Sequence, residues 1–244
     1  MPDRNSMLIW WPRVQAAREV VPMPRTLFIP ADRFELARVL DGGTPPQAFM
    51  DQLRDACRNI GGYPVFMRTD LSSGKHSYDH SCFVRAEELL DGNVFRLVEE
   101  NEMAGFLGLP YEAFVIREFI RLEWAFKAFS GRLPIARERR YFVNDGKMLC
   151  HHAYWAEEAV ASGVRDLSGA WQIELEALNR EDEREIGILT RYAEILASTL
   201  DGAWSLDFAE RALHDGAGWY FIDAATAADS WHPSDCPTVD GGLR

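Results

Sequence analysis

The sequence predicts an α+β fold of mostly antiparallel strands, and three observations carry that prediction. Short apolar runs crowd into residues 113–154 and return at 204–209 and 219–223. Strong helical periodicity is confined to separate segments, chiefly 45–60 and 182–200. Strands and helices do not alternate regularly, which disfavours a doubly wound parallel sheet.

In order, residues 26–29 read as a short strand after the proline-rich run Val21-Pro22-Met23-Pro24-Arg25. Over 45–60, Phe49, Met50, Leu53, Ala56, Cys57 and Ile60 recur at three- and four-residue steps, the apolar face of a helix that Gly61-Gly62 ends. Residues 63–68 form a strand, Ser72-Ser73-Gly74-Lys75 a loop, and 81–84 a second strand. Residues 86–107 read as mainly helical, broken at Asp91-Gly92. The β-rich block holds strands over 113–119, 122–129, 135–143 and 148–154, with turns at Ser130-Gly131 and Asn144-Asp145-Gly146. The second turn, between two apolar runs, is the clearest hairpin. Ile186, Leu189, Tyr192, Ala193, Leu196 and Leu200 then line one side of a long helix, 182–200. Strands 204–209 and 219–223 close the fold.

The chain has 244 residues, 47% of them hydrophobic, enough to bury a sizeable core in one large domain or two small lobes. Its net charge of −12 and lack of any Lys/Arg-rich run argue against a nucleic-acid or membrane-surface binder. The Met-Leu-Ile-Trp-Trp run at 7–11 is cut short by Pro12 and Arg13, too short for a membrane span or a leader segment. Cys57, Cys82, Cys150 and Cys236 show no CxxC spacing, so neither a zinc knuckle nor a thioredoxin motif is supported. A cytoplasmic protein with reduced thiols is expected.

Charged residues at the ends of apolar strands suggest the chemistry. Arg68 ends Val65-Phe66-Met67, and Lys75 lies in the following loop. That loop is not a P-loop, because the first glycine would fall at Thr69. A glycine-containing loop can still cradle phosphates through backbone N–H groups, although such loops are usually plain turns. Lys127 alternates with Phe126 and Ala128 and so faces away from them, while Arg137 and Arg139 share a face; salt bridges on a solvated sheet explain such cations equally well. Asp207 sits inside one of the last two strands and Asp223 ends the other. A hairpin through His214-Asp215-Gly216 brings the acids together. Two close carboxylates repel unless a cation joins them, and Mg²⁺ is the usual one beside phosphates; a turn aspartate and a salt-bridged one is the alternative. His151 and His152 point to opposite strand faces, and the run between His76 and His80 lacks a helix signal, so no zinc site is assigned. No Gly-x-Ser-x-Gly elbow is present.

In this order, the cation-ended strand, lysine loop, Val-Ile-Arg-Glu-Phe segment, Phe-Lys-Ala-Phe strand, Ile-Ala-Arg-Glu strand, long helix, Leu-Asp-Phe and Phe-Ile-Asp resemble the ATP-grasp superfamily. The likeness spans roughly residues 60–235. It is strongest to compact, often phage-associated ATP-grasp proteins and to the eukaryotic cell-division-cycle ATP-grasp proteins that help assemble a translation initiation factor.

The resemblance implies two α+β lobes with ATP between them. It divides the chain into a short N-terminal segment (1–60), a first lobe (61–112) and a second lobe with the metal site (113–244). It implies that Arg68 and Lys75 contact phosphates. Ile116, Arg117, Glu118 and Phe119 would form the adenine-side hinge, Lys127 and Arg137 would face the phosphates as catalytic cations, and Asp207 and Asp223 would bind Mg²⁺. Arg68 stands where the family usually has lysine, and Ala225 where an amide ligand is usual. The implied activity is an ATP-dependent carboxylate–amine ligase with small-molecule or peptide substrates. The alternatives are a low-turnover nucleotide-binding assembly protein with a protein partner, or a small phosphotransferase.

Overall fold

The computed structural model describes residues 3–105, 110–130, 132–162, 169–216, 218–233 and 236, and the His76 side chain lies outside that description. In chain order its elements begin with α1 (Met7–Val14), β1 (Thr26–Pro30), α2 (Arg33–Ala37), α3 (Gln47–Asn59), β2 (Val65–Thr69), β3 (Phe83–Val84), α4 (Leu90–Gly105) and β4 (Ala113–Glu118). They continue with β5 (Trp124–Ala128), β6 (Leu133–Ala136), β7 (Glu138–Asn144), β8 (Lys147–Ala153), α5 (Glu157–Ser162), α6 (Trp171–Asn179), α7 (Glu183–Ala197), β9 (Ala203–Arg211) and β10 (Gly218–Thr226). Among the described residues the paired strands are antiparallel, in an α+β fold as the sequence predicts.

The chain forms two compact units, Pro24–Ile120 and Met1–Met23 with Arg121–Arg244. This division differs from the expected 1–60, 61–112 and 113–244. The physical reason is pairing: β4 hydrogen-bonds to both β1 and β2, so residues 113–118 belong with the earlier strands. The N-terminal helix belongs instead with the C-terminal half, where Trp10 meets Phe221 edge to face at 5.8 Å.

In the unit Pro24–Ile120 the sheet order is β1-β4-β2-β3. The predicted face of α3 (Phe49, Met50, Leu53, Ala56, Cys57) is buried in one core with Val94, Leu97 and Val98 of α4 and with Val65, Met67, Phe114 and Ile116 of the sheet. Alternation sends Arg68 and Arg117 to the opposite face, where Phe66 pairs with Arg117 and Arg68 with Val115. No break occurs at Asp91-Gly92. A 3₁₀ turn over Glu87–Leu89 leads into α4, and Asp91 lies in its first turn, where the helix dipole favours an acid. The expected end of this helix at 107 lies outside the described residues.

In the other unit a four-stranded sheet runs β10-β9-β7-β8, and β5 pairs with β6 separately. The sequence predicts one strand over 135–143. Instead the chain changes sheets at Arg137, whose N–H donates to Glu123 and whose carbonyl accepts from Glu210 N–H. The Asn144-Asp145-Gly146 hairpin forms as expected, with Asp145 and Gly146 at positive φ. The expected Ser130-Gly131 turn includes Gly131, outside the described residues. Helix α7 packs on β7, β8 and β9. Leu189, Ala193 and Leu196 are buried on it as predicted, whereas Ile186 and Tyr192 are only half-buried. The elements read from the sequence do not include helices α1, α2, α5 and α6. Met7, Trp10, Trp11 and Val14 do carry helical spacing, but Pro12 reads as a stop.

Candidate functional site

Four residues stand in line across one face of the four-stranded sheet. His152 of β8 is the register partner of Arg140 of β7, Arg140 of Asp207 of β9, and Asp207 of Asp223 of β10. The hairpin thus places the two predicted metal-binding acids directly opposite each other.

A β-bulge makes this possible. Phe221 pairs with Phe208 and Asp223 with Asp207, so Ile222 is the extra residue on β10. Phe208 and Phe221 are fully buried on the helix-covered face. Plain alternation would put Asp223 on that same face, two residues after Phe221. The inserted Ile222 turns Asp223 to the opposite one, the re-aiming that bulges characteristically produce.

Arg140 holds Asp207 through both oxygens, donating Nε to Oδ1 at 2.8 Å and Nη2 to Oδ2 at 2.9 Å. The pair is well buried, with side-chain exposures of 15% and 8%. Burial works against the guanidinium charge, but Asp207, with help from Tyr154 and Asp223, outweighs it and raises the Arg140 pKa. The Tyr154 ring lies 4.7 Å from the guanidinium carbon. The cation that the two acids need is therefore supplied within the fold. Two carboxylates against one guanidinium still leave net negative charge, and Asp223 is only half-buried. The donor set fits Mg²⁺ if Asp223 is the main ligand and Asp207 shares its outer lone pairs.

Among the described residues, the polar groups near Ala225 are hydrogen-bonded to one another. Ala225 faces Ser205, whose hydroxyl lies 2.5 Å from that of Ser230. Asp229 accepts from Thr226 Oγ1 at 2.5 Å and Asn5 Nδ2 at 2.8 Å. Those two hydrogen bonds hold its carboxyl below the usual range. Trp231 is about half exposed, and its carbonyl accepts from Arg140 at 3.5 Å.

Arg137 and Arg139 share a face as predicted, but it is the opposite one. Both reach Glu185, at 2.5 Å each, while Arg137 also meets Glu210 at 3.4 Å and Arg139 meets Glu181 at 3.4 Å. Trp219 lies against both guanidinium groups. Arg137 is thus placed apart from the Asp207–Asp223 face, in an ionic cluster under α7. Lys127 projects from β5 into solvent, away from buried Phe126 and Ala128, as its alternation predicts.

In the unit Pro24–Ile120, Arg68 donates Nε to the Thr69 carbonyl at 3.0 Å. Gly74 takes φ +61, and a Cβ there would lie 3.0 Å from Leu97 and 3.1 Å from a Glu100 oxygen. Glycine suits this left-handed turn, which delivers Lys75 into a 3₁₀ turn over Lys75–Ser77. Thr69, at the position that rules out a P-loop, bonds Asn101 at 2.8 Å. Ile116, Arg117 and Glu118 lie in β4. Ile116 lies in the core, Arg117 donates to Thr26 at 3.3 Å, and Glu118 pairs with Arg25 at 3.1 Å. The Phe119 ring lies tilted against that of Phe83, with centres 4.8 Å apart, and the chain leaves this unit after Ile120.

Sequence reasoning missed Arg140 and Glu185. Arg140 was hidden in the Arg137-Glu138-Arg139-Arg140 cluster, although it falls on the face opposite Arg139. Glu185 occupies an apolar-face position four residues before Leu189, a signal that a buried partner cation exists.

No protein-family model matches the sequence, and no curated protein matches it. Among solved structures, the chain is similar to C-terminally truncated Cdc123 from Schizosaccharomyces pombe, with 13% identity, 98% of this chain and 86% of that chain covered, and a TM-score of 0.55. It also matches an N5-carboxyaminoimidazole ribonucleotide synthetase in its ADP complex (14% identity, 91% of this chain and 44% of that one, TM-score 0.49). A third match is VanG D-Ala:D-Ser ligase from Enterococcus faecalis (12% identity, 91% and 52%, TM-score 0.48). The chain thus spans about half the length of these last two proteins. The fold resembles that of C-terminally truncated Cdc123.

Proposed function

We propose that this protein binds Mg-ATP and uses it to activate a carboxylate as an acylphosphate for attack by an amine. The observation that carries this reading is the opposed pair Asp207–Asp223, re-aimed to one face by the Ile222 bulge. Such a pair is an oxygen donor set for a hard cation, which would neutralise charge on phosphate oxygens. In this reading Asp223 is the principal metal ligand and Arg140 orients Asp207 through both of its oxygens. Arg68 and Lys75 bind phosphate, residues 116–119 lie on the adenine side, and exposed Lys127 meets the transferred phosphoryl group. Arg137 acts from its ionic cluster by positioning β6 and β7. The expected partners are small-molecule or peptide carboxylates and amines.

The test is calorimetric titration with Mg-ATP, followed by ATP-dependent phosphate release with candidate acids and amines. Asp223→Asn is expected to weaken Mg-ATP binding and abolish release. Wild-type-like binding and release in that variant would overturn the metal assignment.

A second reading is a low-turnover nucleotide-binding assembly protein with a protein partner. It is favoured by the bidentate hold of Arg140 on Asp207 and by Ala225 at the amide position. Mg-ATP binding without release for any acid–amine pair, with a defined protein partner in a pull-down, would select it.

A further inference from the structure

We propose that Cys150, His152, His232 and Cys236 form a closed structural zinc site that clips the segment after β10 onto the sheet. One ligand atom from each residue lies within 4.8 Å of the other three. The four come from two segments distant in sequence. Cys150 and His152 are two apart on edge strand β8, so they project from one face. His232 and Cys236 follow the 3₁₀ turn Ala227–Asp229 that ends β10. The pattern is Cys-x-His with His-x-x-x-Cys. Neither half is a familiar spacing, which is why the sequence alone shows no zinc motif.

The chemistry of the set selects the ion. Two thiolates and two imidazoles are the borderline-soft donors zinc takes in tetrahedral structural sites, and they exclude Mg²⁺. Two thiolates also balance the ion's charge, so a partly buried site carries no net charge. Zinc–ligand bonds of about 2.0–2.3 Å imply tetrahedron edges of about 3.3–3.8 Å. The Cys150 Sγ–His232 Nε2 distance is already 3.1 Å. All four ligand atoms lie within 4.8 Å of one another, and small side-chain rotations would bring them to those edges.

The surroundings are those of a ligand shell. His232 Nδ1 lies 3.0 Å from the Pro233 carbonyl. Donation there leaves Nε2 as the coordinating atom, the outer-shell arrangement that orients metal-bound imidazoles. The His152 and His232 rings are 4.8 Å apart at 77°, and both lie against fully buried Phe142. Phe142 supplies an apolar wall that excludes water from one side.

The site would also have a structural consequence. Ser230 and Trp231 are tied to the sheet by the Ser230–Ser205 contact and by the Trp231 carbonyl on Arg140. Zinc would add a cross-link from β8 to this segment, beside His152, the neighbour of Arg140 in register. It is chemically separate from the Asp207–Asp223 pair, and its test does not depend on nucleotide binding.

The experiment is elemental analysis of full-length protein, produced without a metal-binding tag and purified without chelator. One zinc per chain is expected, falling to background in His232→Ala and in Cys236→Ser. Cys57→Ser, altered in the other unit, should keep it. Cobalt titration of the chelator-stripped wild type should give a thiolate-to-cobalt charge-transfer band that Cys150→Ser removes, so the proposal stays testable if a variant fails to fold. Limited proteolysis should cut the segment 227–236 in the stripped protein and not after zinc is restored. Wild-type protein without zinc and without the cobalt band would overturn the proposal. So would full zinc content in a His232→Ala, Cys236→Ser double variant, or a Cys150–Cys236 disulfide found in the freshly purified chain.

Discussion

Asp223 stands directly across from Asp207 because Ile222 is an extra residue between it and Phe221. The bulge separates two duties that alternation would have forced onto one face. Phe221 stays in the core, and the carboxylate two residues later turns away from it. If Asp223 is the principal metal ligand, Asp223→Ala should weaken Mg-ATP binding by at least about tenfold, about 1.4 kcal/mol. Urea unfolding should change little, since the residue is half-buried. Calorimetry and denaturation on the same sample check both parts.

The Arg140–Asp207 pair should behave as a buried ion pair. Arg140→Met strands Asp207 at 5% exposure. It is expected to cost about 3–5 kcal/mol in urea unfolding, as losing one partner of a buried pair generally does. Replacing both residues with apolar ones should recover most of that loss. A double-mutant cycle with no coupling would contradict the geometry.

Glu185 neutralises two arginines at once, one of them, Arg139, fully buried. Glu185→Gln should therefore destabilise the protein by about 3–5 kcal/mol. Exposed neighbours on α7, such as Arg184, should tolerate change within about 0.5 kcal/mol. Thermal and urea denaturation would separate the two.

Gly74→Ala should be costly for its position in a loop. Its φ of +61 is unfavourable for a side chain, and a Cβ would press on the Leu97 Cδ1 at 3.0 Å, which would have to give way by a few tenths of an ångström. The expected loss is about 1–2 kcal/mol. If Lys75 binds phosphate, nucleotide affinity should fall more than stability does, as calorimetry would report.

The Asp229 carboxyl is held below its usual range by Thr226 and Asn5. A depressed acid contributes stability that is complete above the unfolded carboxylate pKa and is lost as pH falls through the folded one. Asp229→Asn should therefore destabilise at neutral pH, and the gap to wild type should close in strongly acidic buffer. A gap that grew on acidification would refute the assignment.

How far the sequence was legible depended on the range of the signal. Alternation placed Lys127 outward beside Phe126, and three- and four-residue spacing found the buried faces of α3 and α7, because both are local consequences of backbone period. Turn chemistry found the Asn144-Asp145-Gly146 hairpin for the same reason. Pro12 hid α1, since its rule describes helix interiors and ignores the packing of Trp10 and Trp11 on the core. The switch of sheets at Arg137 was invisible, because hydrogen bonds to Glu123 and Glu210, distant in sequence, create it.

The sequence by itself determined the α+β class, the antiparallel hairpins and the two acids at the end of the fold. Each is written in local pattern and residue type. The tertiary structure alone decided which face those acids occupy and that Arg140 is their cation. It also decided that Arg137 belongs to Glu185 and that Cys150, His152, His232 and Cys236 meet. Register, a bulge and the path of the chain after β10 bring distant residues to within a few ångströms, and no periodicity along the chain encodes such distances.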